Sequence, residues 1–298
     1  MPLSIGLEVE GVATRRTTSS QRFPNQVDQQ MRIIASALRE AGLDCRVYFP
    51  SGTRGTGPDF SVWNVTVDIT VIEVTSGSSA DASAFQGRFG FEIITPVFYQ
   101  TENDFWIQEL RTGINSIADA VVWKANRSTG LHVHVGRGAN DAVWTLQEIQ
   151  RIAAFYIRFE DAVDELHLVH RRSDNDCIES NRHNDMLKGL TTLEIYQRIR
   201  ETGSIDEICQ IMNYCEGEEF YDGYTDSRFF KVNFTSLLKH RTIEFRQHEG
   251  TTNPETMIQW SRFILKFVNF AIDASFDMIT APGGSFEDLQ QLIGPGRG

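Results

Sequence analysis

Six stretches of the chain alternate apolar and polar residues, the period of two that is typical of half-buried β-strands. In the last of them, residues 242–251, Ile243 and Phe245 share one face while Glu244 and Arg246 share the other. Only a short segment that includes residues 236–241 separates this strand from the one before it, which predicts a hairpin. The six predicted strands cover residues 4–12, 63–71, 89–98, 131–136, 229–234 and 242–251.

Apolar residues at helical spacing predict the helices that cover this sheet. The longest runs from Thr145 to about His170, and Thr101 is the expected N-cap of another that ends near Val121. Further helices are predicted over residues 25–41, 192–200 and 204–215 and from Pro254 onwards. The fold class is therefore α+β, a mostly antiparallel sheet with helices on one face. We expect one domain over residues 1–281 and a partly disordered tail over 282–298.

The polar faces of these strands carry an excess of acidic and metal-binding side chains. Each strand alone has an ordinary explanation: a solvated edge, a surface ion pair between Glu244 and Arg246, or hydrogen-bonded histidines at His132 and His134. The residues assigned to the polar face are Glu8, Glu10, Asp68, Glu92, His132, His134, Lys231, Glu244 and Arg246. Five carboxylates on one surface repel one another unless cations lie between them. Oxygen ligands with a minority of imidazole suit Mg²⁺ or Mn²⁺, and several such ions are the usual equipment for a triphosphate.

Charge and cysteine content narrow the class of protein. The chain has 298 residues, 41% of them hydrophobic and 23% charged, and a net charge of −12. Without a long basic run, we expect no nucleic-acid partner. Its four cysteines form no C-x-x-C pair, which indicates free thiols in a reducing compartment. We expect no signal peptide and no membrane partner, because no apolar run approaches the roughly 20 residues that span a bilayer, and hence a cytoplasmic protein.

Four motifs together resemble one family of enzymes. They are Gly6-Leu7-Glu8-Val9-Glu10, Phe91-Glu92-Ile93-Ile94-Thr95-Pro96, Thr129 to Gly136 (TGLHVHVG) and Thr242 to Thr251 (TIEFRQHEGT). In this order, over about residues 4–270, they resemble the amidoligase family of the carboxylate–amine ligase superfamily, which also contains glutamine synthetase and glutamate–cysteine ligase. Asp68-Ile69-Thr70 stands where the family pattern suggests Asp-x-Ser.

The resemblance implies a curved sheet that forms a funnel-shaped, glutamine-synthetase-like active site, with ATP entering at one end and the acceptor at the other. It implies two or three Mg²⁺ or Mn²⁺ ions. One ion would be bound by Glu10, Asp68 and Glu92, and a second by Glu8, His132 and Glu244. Arg246 would stabilise the transferring phosphoryl group, and His134 and Lys231 are candidate nucleotide contacts. Glu249 is either a base for the amine or a residue with a helix-cap or surface role. Three arginines either bind phosphates or form ion pairs with acids: Arg171, Arg172 and Arg182. Of these, Arg182 is also a candidate nucleotide contact.

The expected reaction joins a carboxylate to an amine through an acyl phosphate, forming an amide or peptide bond of a possible γ-glutamyl type. The partners would be small-molecule or peptide acids and amines. Two alternatives remain open: a metal-dependent amide hydrolase that uses the His132/His134 pair, and a non-catalytic relative that binds nucleotide or metal. The sequence names neither substrate, because substrate contacts fall in the loops 51–58, 76–88 and 170–188, and it leaves the oligomeric state open.

Overall fold

The computed structural model describes residues 2–14, 26–48, 57–68, 70–71, 89–101, 103–138, 142–172, 178–214 and 226–294. Its strands are β1 (Ser4–Thr14), β2 (Cys45–Val47), β3 (Trp63–Thr66), β4 (Phe89–Ile94), β5 (Phe98–Tyr99), β6 (Val122–Lys124), β7 (Gly130–Gly136), β8 (Val232–Asn233) and β9 (Thr242–Glu249). Its helices are α1 (Gln26–Glu40), α2 (Phe105–Ala120), α3 (Leu146–Asp164), α4 (Val169–Arg172), α5 (Thr192–Arg200), α6 (Ile205–Met212), α7 (Ser236–His240), α8 (Pro254–Asp273), α9 (Phe276–Ile279) and α10 (Phe286–Ile293).

The fold is mixed α/β with an open, mostly antiparallel sheet, which confirms the predicted class at that level. The chain forms two compact units, described separately below. The N-terminal unit comprises residues 5–132 and 249–258, and the C-terminal unit comprises residues 1–4, 133–248 and 259–298. The single domain over residues 1–281 stays a prediction.

The N-terminal unit is built on strands in the order β2-β3-β4-β1, with β7 beside β1. The pairs β3–β4 and β4–β1 are antiparallel and β2–β3 is parallel. The apolar side chains of β1 at Ile5, Leu7 and Val9 are fully buried, as the alternation predicts. Helix α1 packs on α2 and on the short strands β2 and β3. The glutamate side chains of β1 and β4 therefore lie on the face opposite this core.

In the C-terminal unit, β9 lies between β7 and β8. Val232 pairs with Phe245 and Asn233 with Glu244 in antiparallel register, so the predicted hairpin is confirmed. Phe245 packs edge-on against Tyr156 of α3 and Phe267 of α8, with ring centroids 6.4 Å and 6.3 Å away. The apolar face of β9 is therefore the one that the helices cover, and Glu244 and Arg246 lie on the other.

Three predicted boundaries are wrong. Strand β3 ends at Thr66, and Asp68 follows it in a turn. Helix α2 begins at Phe105 after Asp104, whose left-handed backbone (φ 45°, ψ 42°) puts it outside the helix and replaces Thr101 as the N-cap residue. Helix α3 ends at Asp164, because the chain turns there before the short helix α4.

The C-terminal tail contains α10, with reciprocal capping bonds between Ser285 and Asp288, and this helix packs on α3. Cys45 and Cys209 are buried free thiols, as expected, whereas Cys177 and Cys215 lie outside the described residues. Among the helices that the structure describes, none combines the length and the apolar character needed to cross a membrane.

Lys231 is buried, and its ammonium group is held by acids of α3. Nζ lies 2.9 Å from both carboxylate oxygens of Asp164 and 3.4 Å from Glu160 Oε1. Asp164 also accepts a hydrogen bond from Gln247, a neighbour of Arg246 on β9. The alternation placed Lys231 on the polar face with Glu244, whereas its ammonium group lies against Asp164 and Glu160 of α3; its role as a nucleotide contact stays a prediction.

We expect Lys231→Met to lower the free energy of unfolding by about 3 kcal/mol, because it leaves the buried carboxylates without their cation. Urea denaturation measures the change, and Lys239→Met on an exposed position is the matched control. Equal stability of the two variants would contradict a structural role for this ion-pair network.

Candidate active site

Two glutamates of the N-terminal unit face each other across neighbouring strands. Glu10 on β1 is directly opposite Glu92 on β4, which is itself opposite Thr66 on β3. Residues directly opposite in an antiparallel pair project to the same side, so the backbone register holds the two carboxylates together. Glu10 is buried and Glu92 is half-buried.

His132 on β7 lies between two carboxylates of β1. Its Nδ1 is 3.2 Å from Glu8 Oε2 and its Nε2 is 3.5 Å from Glu10 Oε1. One ligand atom each from Glu10, Glu92 and His132 lies within 4.8 Å of the other two. The resemblance assigned His132, with Glu8 and Glu244, to the second ion; the structure places it beside Glu8 and also close to Glu10 and Glu92. We call Glu8, Glu10, Asp68, Glu92 and His132 the carboxylate cluster.

The charges of this cluster act on Glu92. Burial, followed by the negative charges of Glu8, Asp68 and Glu10 and a hydrogen bond with Glu8, raises the pKa of Glu92 well above its ordinary value. Four carboxylates and one imidazole are a mostly oxygen donor set, which fits Mg²⁺ or Mn²⁺ better than a structural zinc. A divalent cation among them would relieve the repulsion that raises this pKa.

Asp68 joins the cluster from a turn rather than from a strand. Its Oδ1 accepts hydrogen bonds from the backbone N–H and the hydroxyl of Thr70, both at 2.7 Å. This local bonding is what ends the strand pattern, because an aspartate that binds its own backbone two residues ahead favours a turn. The charge of Asp68 contributes to the raised pKa of Glu92, so the two carboxylates are neighbours, and the role of Asp68 as a metal ligand stays a prediction.

A backbone group that the sequence analysis missed orients Glu10. The N–H of Gly130 donates to Glu10 Oε2 over 2.7 Å. Its neighbour Thr129 is fully buried, and its hydroxyl is bonded to both the N–H and the carbonyl of Asn126. The N–H of Gly250 donates to the Thr129 carbonyl over 2.9 Å. The position of Gly130 directly before the His-x-His strand was the available signal.

Gly250 has no room for a side chain at this point. An added Cβ would lie 2.1 Å from Thr129 Oγ1 and 2.6 Å from Thr129 Cβ. We expect Gly250→Ala to displace the segment that holds Glu10 and to weaken Mn²⁺ binding about 10-fold, the usual cost of losing an outer partner of a ligand. Titration calorimetry with Mn²⁺ measures this. Gly203→Ala is the control, since a Cβ there meets only the Glu207 carboxylate at 3.8 Å. Unchanged Mn²⁺ affinity in Gly250→Ala would contradict the expectation.

In the C-terminal unit, Glu244 is held on both carboxylate oxygens. Its Oε1 pairs with Arg246 Nη1, and its Oε2 accepts a 2.7 Å hydrogen bond from Asn233 Nδ2. The Arg246 guanidinium also lies 5.8 Å from the centre of the Phe229 ring. Sequence reasoning separated the roles of Glu244 and Arg246, and the structure pairs their side chains. It also adds Asn233, which the alternation placed on the polar face without a role.

His134 is oriented by hydroxyl groups. Its Nδ1 lies 2.9 Å from Thr242 Oγ1 and 3.4 Å from Ser236 Oγ, and its Nε2 lies 3.8 Å from Glu244 Oε1. His132 and His134 therefore have different surroundings: carboxylates for the first, hydroxyls and Glu244 for the second. Thr242 and Ser236 were not foreseen, although Thr242 opens the motif that contains Glu244.

Two further predicted site residues are Arg182 and Glu249. Arg182 donates to the Ile157 carbonyl and to the Thr192 hydroxyl, at 2.8 Å and 2.7 Å. Glu249 is the half-buried last residue of β9. The roles assigned to Arg182 and Glu249 remain predictions. Of the three predicted substrate loops, residues 51–56, 76–88 and 173–177 lie outside the described residues.

Acidic side chains and an imidazole come together in the N-terminal unit, and a paired glutamate and arginine lie on β9 of the C-terminal unit. A family model described as "Putative amidoligase enzyme" matches residues 1–268. The chain belongs to this amidoligase family and is by class an enzyme ligase that forms amide bonds. No curated protein matches the sequence.

Proposed function

We propose that the protein is an ATP- and Mg²⁺-dependent ligase that joins a carboxylate to an amine through an acyl phosphate. The observation that carries the proposal is the carboxylate cluster, where strand register and turn geometry bring four acids and His132 together. Family membership supports amide formation. The superfamily resemblance supports a glutamine-synthetase-like arrangement of the site.

The residues of the cluster fit divalent cations in this proposal. Glu10, Asp68 and Glu92 would hold one ion, with Glu8 and His132 available to another. Bound Mg²⁺ would neutralise phosphate charge and polarise the γ-phosphoryl group. In the C-terminal unit, Arg246 would stabilise the charge of the transferring group and His134 would contact phosphate, as the resemblance implies. Gly130 keeps Glu10 in place through its N–H.

The proposed reaction has two steps. A carboxylate oxygen of the acid attacks the γ-phosphorus, the bond to the β–γ bridging oxygen breaks, and ADP leaves with that electron pair. The amine nitrogen then attacks the acyl carbon, the bond between carbon and the phosphate-bearing oxygen breaks, and phosphate leaves. The nitrogen loses a proton to a base, for which Glu249 is the proposed residue. The protein contributes positioning and charge neutralisation.

The surroundings of the two histidines disfavour the hydrolase alternative. A zinc hydrolase would use His132 and His134 as ligands of one ion. In the structure, His132 is placed among carboxylates and His134 is bonded to the Thr242 hydroxyl. The excess of oxygen donors around His132 also favours magnesium over zinc.

The test is a coupled assay of ADP release with Mg²⁺, ATP and pools of amino acids, other acids and polyamines, with mass spectrometry of the products. We expect ADP release that requires both an acid and an amine and a product whose mass equals their sum less water. Metal analysis of the purified protein runs beside it. Stoichiometric, tightly held zinc, or amide hydrolysis without ATP, would overturn the ligase in favour of the hydrolase. Nucleotide binding without turnover would favour the non-catalytic alternative.

A further inference from the structure

Strand β9 continues beyond the end of its neighbour β8. The two strands pair at Val232–Phe245 and Asn233–Glu244, and the Arg246 N–H makes one more bond, of 2.8 Å, to the Lys231 carbonyl. Upstream of Lys231 the chain turns away, and Phe230 bridges Glu179 in parallel instead. The carbonyl groups of the last residues of β9 therefore need partners other than β8.

Arg171 supplies those partners. Its Nε donates to the Gln247 carbonyl over 2.9 Å, and its Nη2 donates to the carbonyls of Arg246 and His248 over 2.6 Å and 3.2 Å. The side chain of Gln247 returns a 3.2 Å bond to the Arg171 carbonyl. Arg171 is 4% exposed, so these bonds are shielded from water. A guanidinium has a rigid fork of donors that can hold several oxygens at fixed angles.

This arrangement fixes the backbone on both sides of Arg246. Its N–H is bonded to Lys231 and its carbonyl to Arg171. The direction of the Arg246 side chain, toward Glu244 and the Phe229 ring, follows from that backbone.

We propose that Arg171 is a positioning residue that holds Arg246 for phosphoryl transfer through the backbone of β9. The inference rests on the proposed function, because the role of Arg246 belongs to it. From the sequence, Arg171 was expected to bind phosphates or acidic side chains. Its hydrogen bonds to three carbonyls of β9 indicate a positioning role.

The experiment compares steady-state kinetics of ATP-dependent ligation in the wild type, Arg171→Met, Arg171→Lys and Arg158→Met. Arg158 is the matched control: an arginine of the same unit that donates to the carbonyls of Met278, Ile279 and Pro282, remote in sequence from β9. We expect Arg171→Met to lower kcat about 30-fold and Arg171→Lys to recover part of it, while Arg158→Met stays within twofold at similar thermal stability. The same substitutions are then made in an Arg246→Ala background, where Arg171→Met should change kcat by less than twofold.

Each result decides the inference. A loss of kcat in Arg171→Met that persists in full in the Arg246→Ala background would overturn it, because Arg171 would then act independently of Arg246. A loss no larger than that of Arg158→Met at equal stability would overturn it as well. If Arg171→Met does not fold, Arg171→Lys carries the comparison in both backgrounds. A wild-type protein without turnover overturns the proposed function itself, which distinguishes that failure from a failure of the Arg171 role.

Discussion

Glu92→Gln should make the metal-free protein more stable and nearly inactive. The substitution keeps the shape of the side chain and removes one of four mutually repelling carboxylates of the cluster. Two like charges about 4 Å apart repel by about 1 kcal/mol even in water, so we expect a gain of about 1 kcal/mol in EDTA. If Glu92 binds a cation as proposed, the loss of its charge should lower kcat about 10³-fold, equivalent to about 4 kcal/mol.

A substitution that raises the stability of the protein and lowers its activity identifies a cluster that serves function rather than folding. Urea denaturation in EDTA and in saturating Mg²⁺ gives the stability, and the ligation assay gives the rate. At the same Mg²⁺ concentration c the wild type should gain more stability than the variant, since the gain is RT ln(1 + c/Kd) and the variant is expected to bind Mg²⁺ with a larger Kd. Glu165→Gln, at an exposed position, is the control. If Glu92→Gln destabilised the metal-free protein, Glu92 would instead be a structural acid.

Arg246→Lys should lower kcat by about 10²-fold to 10³-fold while the protein remains folded. Lysine keeps the positive charge but has no planar fork, so it cannot bind Glu244 and a phosphoryl oxygen at the geometry that arginine allows. In the structure, the Arg246 guanidinium is paired with Glu244. To bind a phosphoryl oxygen, it must either contact Glu244 and the phosphoryl group together or leave Glu244 for the phosphoryl group. The loss should appear in kcat more than in KM, because the interaction strengthens in the transition state.

The control is Arg137→Lys, which changes an ion pair of the same kind. Arg137 Nε lies 2.8 Å from Glu148 Oε1 in the same unit, and Glu148 belongs to α3 rather than to β9. Both variants lose a bond between guanidinium and carboxylate, so a common effect on thermal stability is expected, with a loss of turnover in Arg246→Lys alone. Full activity of Arg246→Lys would contradict a role of Arg246 in phosphoryl transfer.

The alternation of apolar and polar residues predicted which segments of the site are strands better than it predicted where those strands end. The alternation around Glu8 and Glu10 extends over β1 as observed, and that around Ile243 and Phe245 places the helices on the correct face of β9. The strand through Asp68 was too long, because the bond from Thr70 to the Asp68 carboxylate outweighs the apolar alternation. Periodicity reports which face is buried; it does not report a competing hydrogen bond between neighbouring residues.

The sequence by itself determined which side chains share a strand face, because a period of two follows directly from the extended backbone. Only the tertiary structure decided that Glu10 stands opposite Glu92 and that His132 lies between Glu8 and Glu10. It also decided that Lys231 turns into the core and that Arg171 binds the end of β9. These partners are far apart in sequence, and strand register and helix packing bring them together, which no local pattern encodes.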